Sequence, residues 1–340
     1  MPPFEFILRR VLTSLLVLAG VSVITFALSR VVPANAAELY IGPKARQEDI
    51  DRVTKQLGLD KPLPVQYAIY MRDLLHGDLA NSISTKRPIT QEISERLPAT
   101  LELLASGMLI AILLGIPLGV LSARWQGRPT DVIVRTFSIM GVSMPAFYLG
   151  LLFQILFFRN LHLLPLAGRV DSSLRFTSPI TEITHFLVLD SLLTQNWIAL
   201  KDVLLHLALP AFTLAAYPTG LVARMTRAAM LEVMEQDYIR TARAYGTKDY
   251  IVTYLLALKN AISPTLTVIG LTIAYALTGT FFVEIIFVWP GLGLFTVRSL
   301  LNVDYPAIMG VTLFGAAGYV LINLAVDVLQ AWVDPRIRLK

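Results

Sequence analysis

Six apolar runs limit what this chain can become: Val11–Val32, Leu103–Ser122, Thr136–Phe158, Val203–Ala223, Asn260–Val283 and Tyr305–Val326. An α-helix rises about 1.5 Å per residue and a bilayer core is about 30 Å thick, so roughly 20 apolar residues cross it. Each run is of that order. Charges gather at the ends. Arg30 lies near the end of the first run, Arg135 just before the third, Glu284 after the fifth and Asp327 after the sixth, while His206 is the one titratable group inside the fourth. That pattern is expected where a charge at a helix centre costs about 2.5–3.5 kcal/mol. Composition agrees: 55% of residues are hydrophobic and 16% charged, against about a quarter charged in soluble domains. The fold class is therefore all-α, a polytopic membrane helix bundle with six transmembrane helices.

The first run has a rival reading. Arg9 and Arg10, an apolar run and "ANA" at Ala34–Ala36 outline a cleaved secretory signal. The run is longer than the roughly 7–15 residues of a signal's apolar region, so it is taken as a retained span.

Basic residues in short flanks set direction. Arg9 and Arg10; Arg124, Arg128 and Arg135; Arg224, Arg227, Arg240, Arg243, Lys248 and Lys259; and Arg336, Arg338 and Lys340 fall on one side, read as the cytoplasm. Six spans then put both termini inside. Residues 1–32 are read as the cytoplasmic N-terminus and first span, 33–98 as an extracytoplasmic cap loop, and 99–340 as the core, with a cytoplasmic segment at 224–260. The net charge of +5 reports topology here, not nucleic-acid binding. No cysteine is present, which excludes disulfides and thiolate chemistry. No GxxxxGK[ST], HExxH or GxSxG pattern occurs, so the chain has no familiar hydrolytic or nucleotide-cleaving centre, and no metal site is read.

Gln47–Leu79 reads as two short helices stopped at Gly58 and Gly77, and Arg87–Pro98 as a third leading into span two. In Arg159–Lys201, Asp190 interrupts any window long enough to cross, so an interfacial helix is expected instead of a seventh span. Trp289 is expected at the membrane interface, followed by a helix too short to span. Pro145 should kink span three, Pro117 span two, and Pro210 and Pro218 span four.

Met225–Tyr245 should continue span four as helix into the cytoplasm. Gly246 suits the position just past a helix end, and a second helix, capped by Thr247, should lead into span five. By helical spacing Tyr238, Ala242 and Tyr245 share one face, as do Ile239, Ala242 and Gly246. Small residues there let another backbone approach, with Arg240 and Arg243 at the flanks. Spacing alone is equally served by a solvated helix lying on anionic lipid.

"EVMEQDYIRTARAYG" (Glu232–Gly246) followed by "LKNAISP" (Leu258–Pro264) resembles the EAA loop of ABC-importer permeases. "LGLDKPLPVQY", "RLPATLELLASGM", "VSMPAFYLG", "EIIFVWPGLG" and "DPRIRLK" are similar, in order along the chain, to landmarks of the dipeptide/oligopeptide/nickel branch, nearest its dipeptide-type first permease. The resemblance implies a permease subunit and not an enzyme: it would move di- or oligopeptides across a bacterial cytoplasmic membrane. It implies partners: a second homologous permease, two ATPase subunits carrying ATP and Mg, and an extracytoplasmic substrate-binding protein. The chain itself would bind no cofactor. Tyr238, Ile239, Arg240, Ala242, Arg243, Ala244, Tyr245 and Gly246 would couple to the ATPases. Nickel chelates, glutathione and opines remain alternative cargoes. Two departures lie in the first loop: "VPANAAE" (Val32–Glu38) where the branch has Pro-Gly-Asp-Pro, and Ala80 where it has glycine.

Ser143, Pro145 and Glu284 are candidates for the substrate path. Glu284 is equally suited to pairing with Arg298 or capping its own turn. Arg30 is expected to snorkel to the headgroups, His206 to be a satisfied bundle histidine, and Asp327 and Asp334 to pair with the tail arginines. A self-contained secondary transporter or channel would need paired charges near mid-membrane, and the span centres are poor in charge.

Overall fold

Long apolar runs become long helices, and proline does not stop most of them. The computed structural model describes residues 4–31, 46–56 and 58–333. Among these residues the elements are helical: α1 (Phe4–Val31), α2 (Gln47–Gln56), α3 (Leu63–Leu75), α4 (Ile89–Arg124), α5 (Pro129–Ser143) and α6 (Ala146–Phe153), the last continued by a π-helical stretch, Gln154–Asn160. Then come α7 (Leu174–Thr177), α8 (Leu187–Leu193), α9 (Trp197–Met234), α10 (Asp237–Ala244), a second π-helical stretch (Ile251–Ala257), α11 (Leu258–Ile286), α12 (Leu292–Leu301) and α13 (Tyr305–Val333). Among the described residues five helices are long and apolar enough to cross a membrane, and six if the bent pair α5–α6 is one span. The tail beyond Val333, the "VPANAAE" stretch and the side chain of Asp327 lie outside the described residues, and with them the expected pairing of Asp327 and Asp334.

Pro98 and Pro117 both sit inside α4, and Pro210 and Pro218 inside α9. The third loop helix expected to end at Pro98 is therefore the first turns of span two. A proline removes one ladder bond. Buried side chains such as Ile93 and Leu103, before and after Pro98, hold the helix on course.

Span three differs more. It is two helices bent by 110° instead of one kinked helix. The cause is local. Met144 is extended (φ −80°, ψ 128°) and Pro145 is extended too (φ −60°, ψ 135°). A residue before proline is driven out of the α region by the ring, and here two consecutive residues leave it.

The chain forms two compact units. One comprises Phe4–Leu97 and Gly291–Leu321. Its core is Ile89, Ile93, Leu292, Phe295, Ala307 and Val311. The fully buried Asp304 organises it, accepting from Ser82 Oγ (2.5 Å), Ile83 N (3.1 Å) and Ser84 N (3.0 Å) and capping α13 through Ala307 N (3.2 Å). Gly58 and Gly77 have positive φ at the ends of α2 and α3, as their sequence context predicts. Ala80 also has positive φ, 64°, which explains why glycine is usual there: a Cβ in that region costs about 1–2 kcal/mol.

The other unit holds Pro98–Pro290 and Ile322–Lys340. Its helices pack through small residues. A Cβ on Gly119 would lie 2.6 Å from Ala223 O, and one on Gly220 would lie 2.5 Å from Ser138 O. Glycine at these points lets α4 and α5 reach the backbone of α9, the usual way membrane helices gain packing. Asp190 breaks its apolar run by turning inward: it is fully buried and accepts from Thr184 N (2.8 Å) and Thr184 Oγ1 (2.7 Å). The segment forms the short α8, and among the described residues it holds no helix long enough to be a seventh span. Trp289 is likewise not an interface anchor. It is fully buried and its indole N–H donates to Ala99 O (2.8 Å), because burial of its large ring is compatible with one available carbonyl.

Candidate coupling site and transport cavity

The expected continuous helix from span four does not form. Helix α9 ends at Met234, Gln236 is extended (φ −68°, ψ 148°), and α10 starts afresh at Asp237. An eight-residue helix is too short to be stable alone, so its packing must hold it. Ile239 is fully buried in a cluster with Val120, Ala123, Ala229, Met230, Val252, Ala257 and Ala261, with Ala242 against its edge. The shared face of Ile239 and Ala242 thus points inward, onto the chain's own helices. The exposed side carries Tyr238, Arg240, Arg243, Ala244 and Tyr245, the last 85% exposed.

Both ends of α10 are fastened. Asn260 Nδ2, on α11, donates to Tyr238 Oη (2.9 Å) and to Leu256 O (2.9 Å). At the other end Gly246 has φ +74°, with Gly246 N donating to Arg243 O (2.9 Å) and Thr247 N to Ala242 O (3.1 Å). These two bonds make a Schellman turn, which requires left-handed backbone at the glycine. The returning chain passes through the π-helical stretch Ile251–Ala257 before α11, a departure from the plain helix expected there. Arg124 at the end of α4 pairs with Asp249.

A second node lies at the same end. Asp131, 1% exposed, accepts from Arg227 Nε (2.8 Å) and Nη2 (2.9 Å), Ser122 Oγ (2.5 Å) and Gly127 N (3.0 Å). One carboxylate thus ties the end of α4, the start of α5 and the last turns of α9. The other end of the broken span meets the opposite end of the unit: Gln154 Nε2 donates to Ile286 O (3.1 Å). The pair α5–α6 therefore runs from one end of the unit to the other, broken on the way.

At the break is a cavity of about 470 Å³. Ser143 and Pro145 line it, with Phe147, Tyr217, Tyr275 and Phe282. The rings of Tyr217 and Tyr275 lie 4.9 Å apart. Glu284 does not line it. That side chain is fully buried and accepts from Thr100 Oγ1 (2.7 Å). His206 is buried, with Nδ1 2.9 Å from Asp202 O.

Known proteins decide what this arrangement belongs to. Residues 115–339 match the family described as binding-protein-dependent transport system inner membrane component, and residues 3–104 match its N-terminal counterpart. The chain belongs to this family. It is similar over nearly its whole length to curated members. The probable D,D-dipeptide transport system permease protein of Escherichia coli is 47% identical, covering 95% of this chain and 94% of that protein. A dipeptide transport system permease protein of Alkalihalophilus pseudofirmus is 39% identical (97% and 98%), and a di/tripeptide one of Pseudomonas aeruginosa is 39% identical (98% and 98%).

This inner membrane component is thus a multi-pass dipeptide-type permease of an ABC importer that works with a binding protein. The sequence offers Tyr238–Gly246 as a coupling segment and Ser143, Pro145 and Glu284 as path candidates; the structure puts Ser143 and Pro145, but not Glu284, at the cavity. Sequence reasoning missed Asn260 as the brace of Tyr238, the Asp131–Arg227 node and the tyrosine pair. Arg227 had been used only as a topology marker, and Asp131 is 96 residues from it, a separation that leaves no local signal.

Proposed function

We propose that this chain is one half of the translocation path of an ATP-driven importer for di- and oligopeptides. The observation that carries this is α10: a short helix cut off from span four, held by its inner face and presenting its outer face. A binding protein delivers the peptide to the extracytoplasmic side, and a second homologous permease completes the path. Two ATPase subunits, which carry ATP and Mg, each grip one permease at the equivalent of Tyr238–Gly246. Both termini lie in the cytoplasm, on the side of α10, where Arg124, Arg227, Arg240 and Arg243 gather; residues 33–98 face outward.

The fastening of α10 at both ends supports a mechanical role. A helix clamped by Ile239, Asn260 and the Gly246 turn passes displacement to α9 and α11. A loose helix would absorb it. Partner ATPases shift the inward–outward equilibrium only as far as they bind the two states differently. The cavity at Pro145 supports a path for groups that form hydrogen bonds, with the hydroxyls of Ser143, Tyr217 and Tyr275 at its wall.

The test is ATP-dependent uptake of a labelled dipeptide by vesicles carrying this chain with its permease, ATPase and binding-protein partners, beside a Gly246→Glu variant. Uptake in the parent, with loss of uptake and of bound ATPases in the variant, is the expected result. ATPase activity without dipeptide uptake would overturn the cargo and turn attention to nickel chelates, glutathione or opines. Uptake that ignores ATP would overturn the coupling.

A further inference from the structure

The unit built from Phe4–Leu97 and Gly291–Leu321 holds a cavity of about 160 Å³ that the transport reading does not use. Ser29, Arg30, Gln66, Tyr70, Asp73 and Asp78 supply its polar wall. Gln66 is 8% exposed. Its Nε2 donates to Leu59 O (3.1 Å) and Lys61 O (2.8 Å), which fixes the amide, and its Oε1 is buried with no hydrogen-bond partner. An acceptor left so costs about 1–3 kcal/mol and calls for an explanation. Tyr70 stands beside it, its phenol pushed up to about 12 by burial, an effect that the Thr25 hydroxyl opposes. It therefore stays neutral and keeps its proton.

The wall is rich in acceptors. Gln66 Oε1 and the carboxylates of Asp73 and Asp78 all accept hydrogen bonds; Asp73 Oδ1 already takes Arg72 Nε (3.0 Å) and Nη2 (2.8 Å), and Asp78 Oδ1 takes Ala80 N (2.8 Å), which leaves further lone pairs on each carboxylate. A group with several N–H bonds and no acceptor, a primary ammonium, answers such a wall. Among the described residues no group of three or more His, Cys, Asp and Glu is placed to hold a metal ion. Arg30 lines the same cavity, its guanidinium 5.7 Å from the centre of the Phe26 ring.

We infer that this cavity binds a primary ammonium group, against Gln66, Asp73 and Asp78. Two sources share that chemistry: a free dipeptide or amino alcohol from water, and the ethanolamine headgroup of a phospholipid. The site is lined by residues of this one unit, and its test does not depend on transport.

The full chain in nanodiscs of choline-headgroup lipid is titrated with glycylglycine and with ethanolamine, with tetramethylammonium as the control, and its thermal unfolding midpoint is followed. A parallel set uses ethanolamine-headgroup lipid. The expected result is a saturable rise in midpoint with the primary amines, or a raised midpoint in ethanolamine lipid, and none with tetramethylammonium. Response to the soluble amines places the source in water; response to the lipid alone places it in the membrane. Asp73→Asn, at a side chain 40% exposed and so tolerant of change, should weaken the response roughly tenfold, as loss of a charged hydrogen bond does. Gln66→Met should weaken it as well. An equal rise with tetramethylammonium, no rise with any amine or lipid, or an undiminished response in Asp73→Asn overturns the inference.

Discussion

The two ends of the unit Pro98–Pro290 both bury a carboxylate against an arginine, and what surrounds the pair differs. At the end that bears α10, Asp131 meets Arg227, and the chain presents an exposed, fastened helix. At the other end Glu102 meets Arg169 and takes Val188 N (2.8 Å), Glu284 meets a hydroxyl, and Trp289 fills the space with its indole on Ala99 O. The first pair ties three helices together; the second lies against a buried aromatic ring, with Arg169 5.5 Å from the centre of the Trp289 ring. The contrast teaches that the same kind of ion pair stands beside an exposed helix at one end and in a filled, sealed interior at the other.

Substitutions can break that contrast. The largest expected effect is Trp289→Ala, which removes a fully buried ring and its hydrogen bond. It should destabilise by about 4 kcal/mol, read as a lower unfolding midpoint in nanodiscs, with α10 still protected from exchange. Arg227→Met should cost about 3 kcal/mol by leaving Asp131 buried without its cation. Adding Asp131→Asn should recover part of that, and a double-mutant cycle that shows no coupling would remove the node from the argument. Thr100→Val should cost about 1–2 kcal/mol and leave coupling to ATPase intact, because it acts only on the sealed end. Asn260→Ala should cost about 1 kcal/mol or less in stability, yet raise hydrogen exchange in α10 and lower uptake. Unchanged exchange there would mean that Tyr238 needs no brace. In the other unit Ala80→Gly should stabilise by about 1 kcal/mol, since it relieves positive φ.

The spans were legible because lipid imposes a length and a charge rule that local sequence must obey. Gly58, Gly77 and Gly246 were legible for a related reason: helix ends that turn left-handed favour glycine. Other features were not. A tryptophan after an apolar run reads as an interface anchor, and nothing local announced that Ala99, 190 residues away, would receive its N–H. Glu284 invited a functional reading as a lone acid at a span end, but Thr100 lies 184 residues off. The proline rule gave the right place at Pro145 and the wrong degree. It describes one missing bond, and the actual bend also needed Met144 to be extended. Ile239 and Ala242 were placed on one face correctly, but periodicity does not say whether a face looks in or out.

The bend at Pro145 has an electrical consequence. A helix that stops leaves carbonyls without partners, and one that starts leaves N–H groups, so this cavity is bordered by the negative end of α5 and the positive end of α6. Its side-chain wall at Ser143, Tyr217, Tyr275 and their neighbours contains no carboxylate, histidine, lysine or arginine. Polarity there comes from peptide dipoles, which no proton can switch off. On the proposed path this cavity should therefore pass cargo equally well at acid and neutral pH, so that any acid dependence of uptake originates in the partners or in the cargo itself.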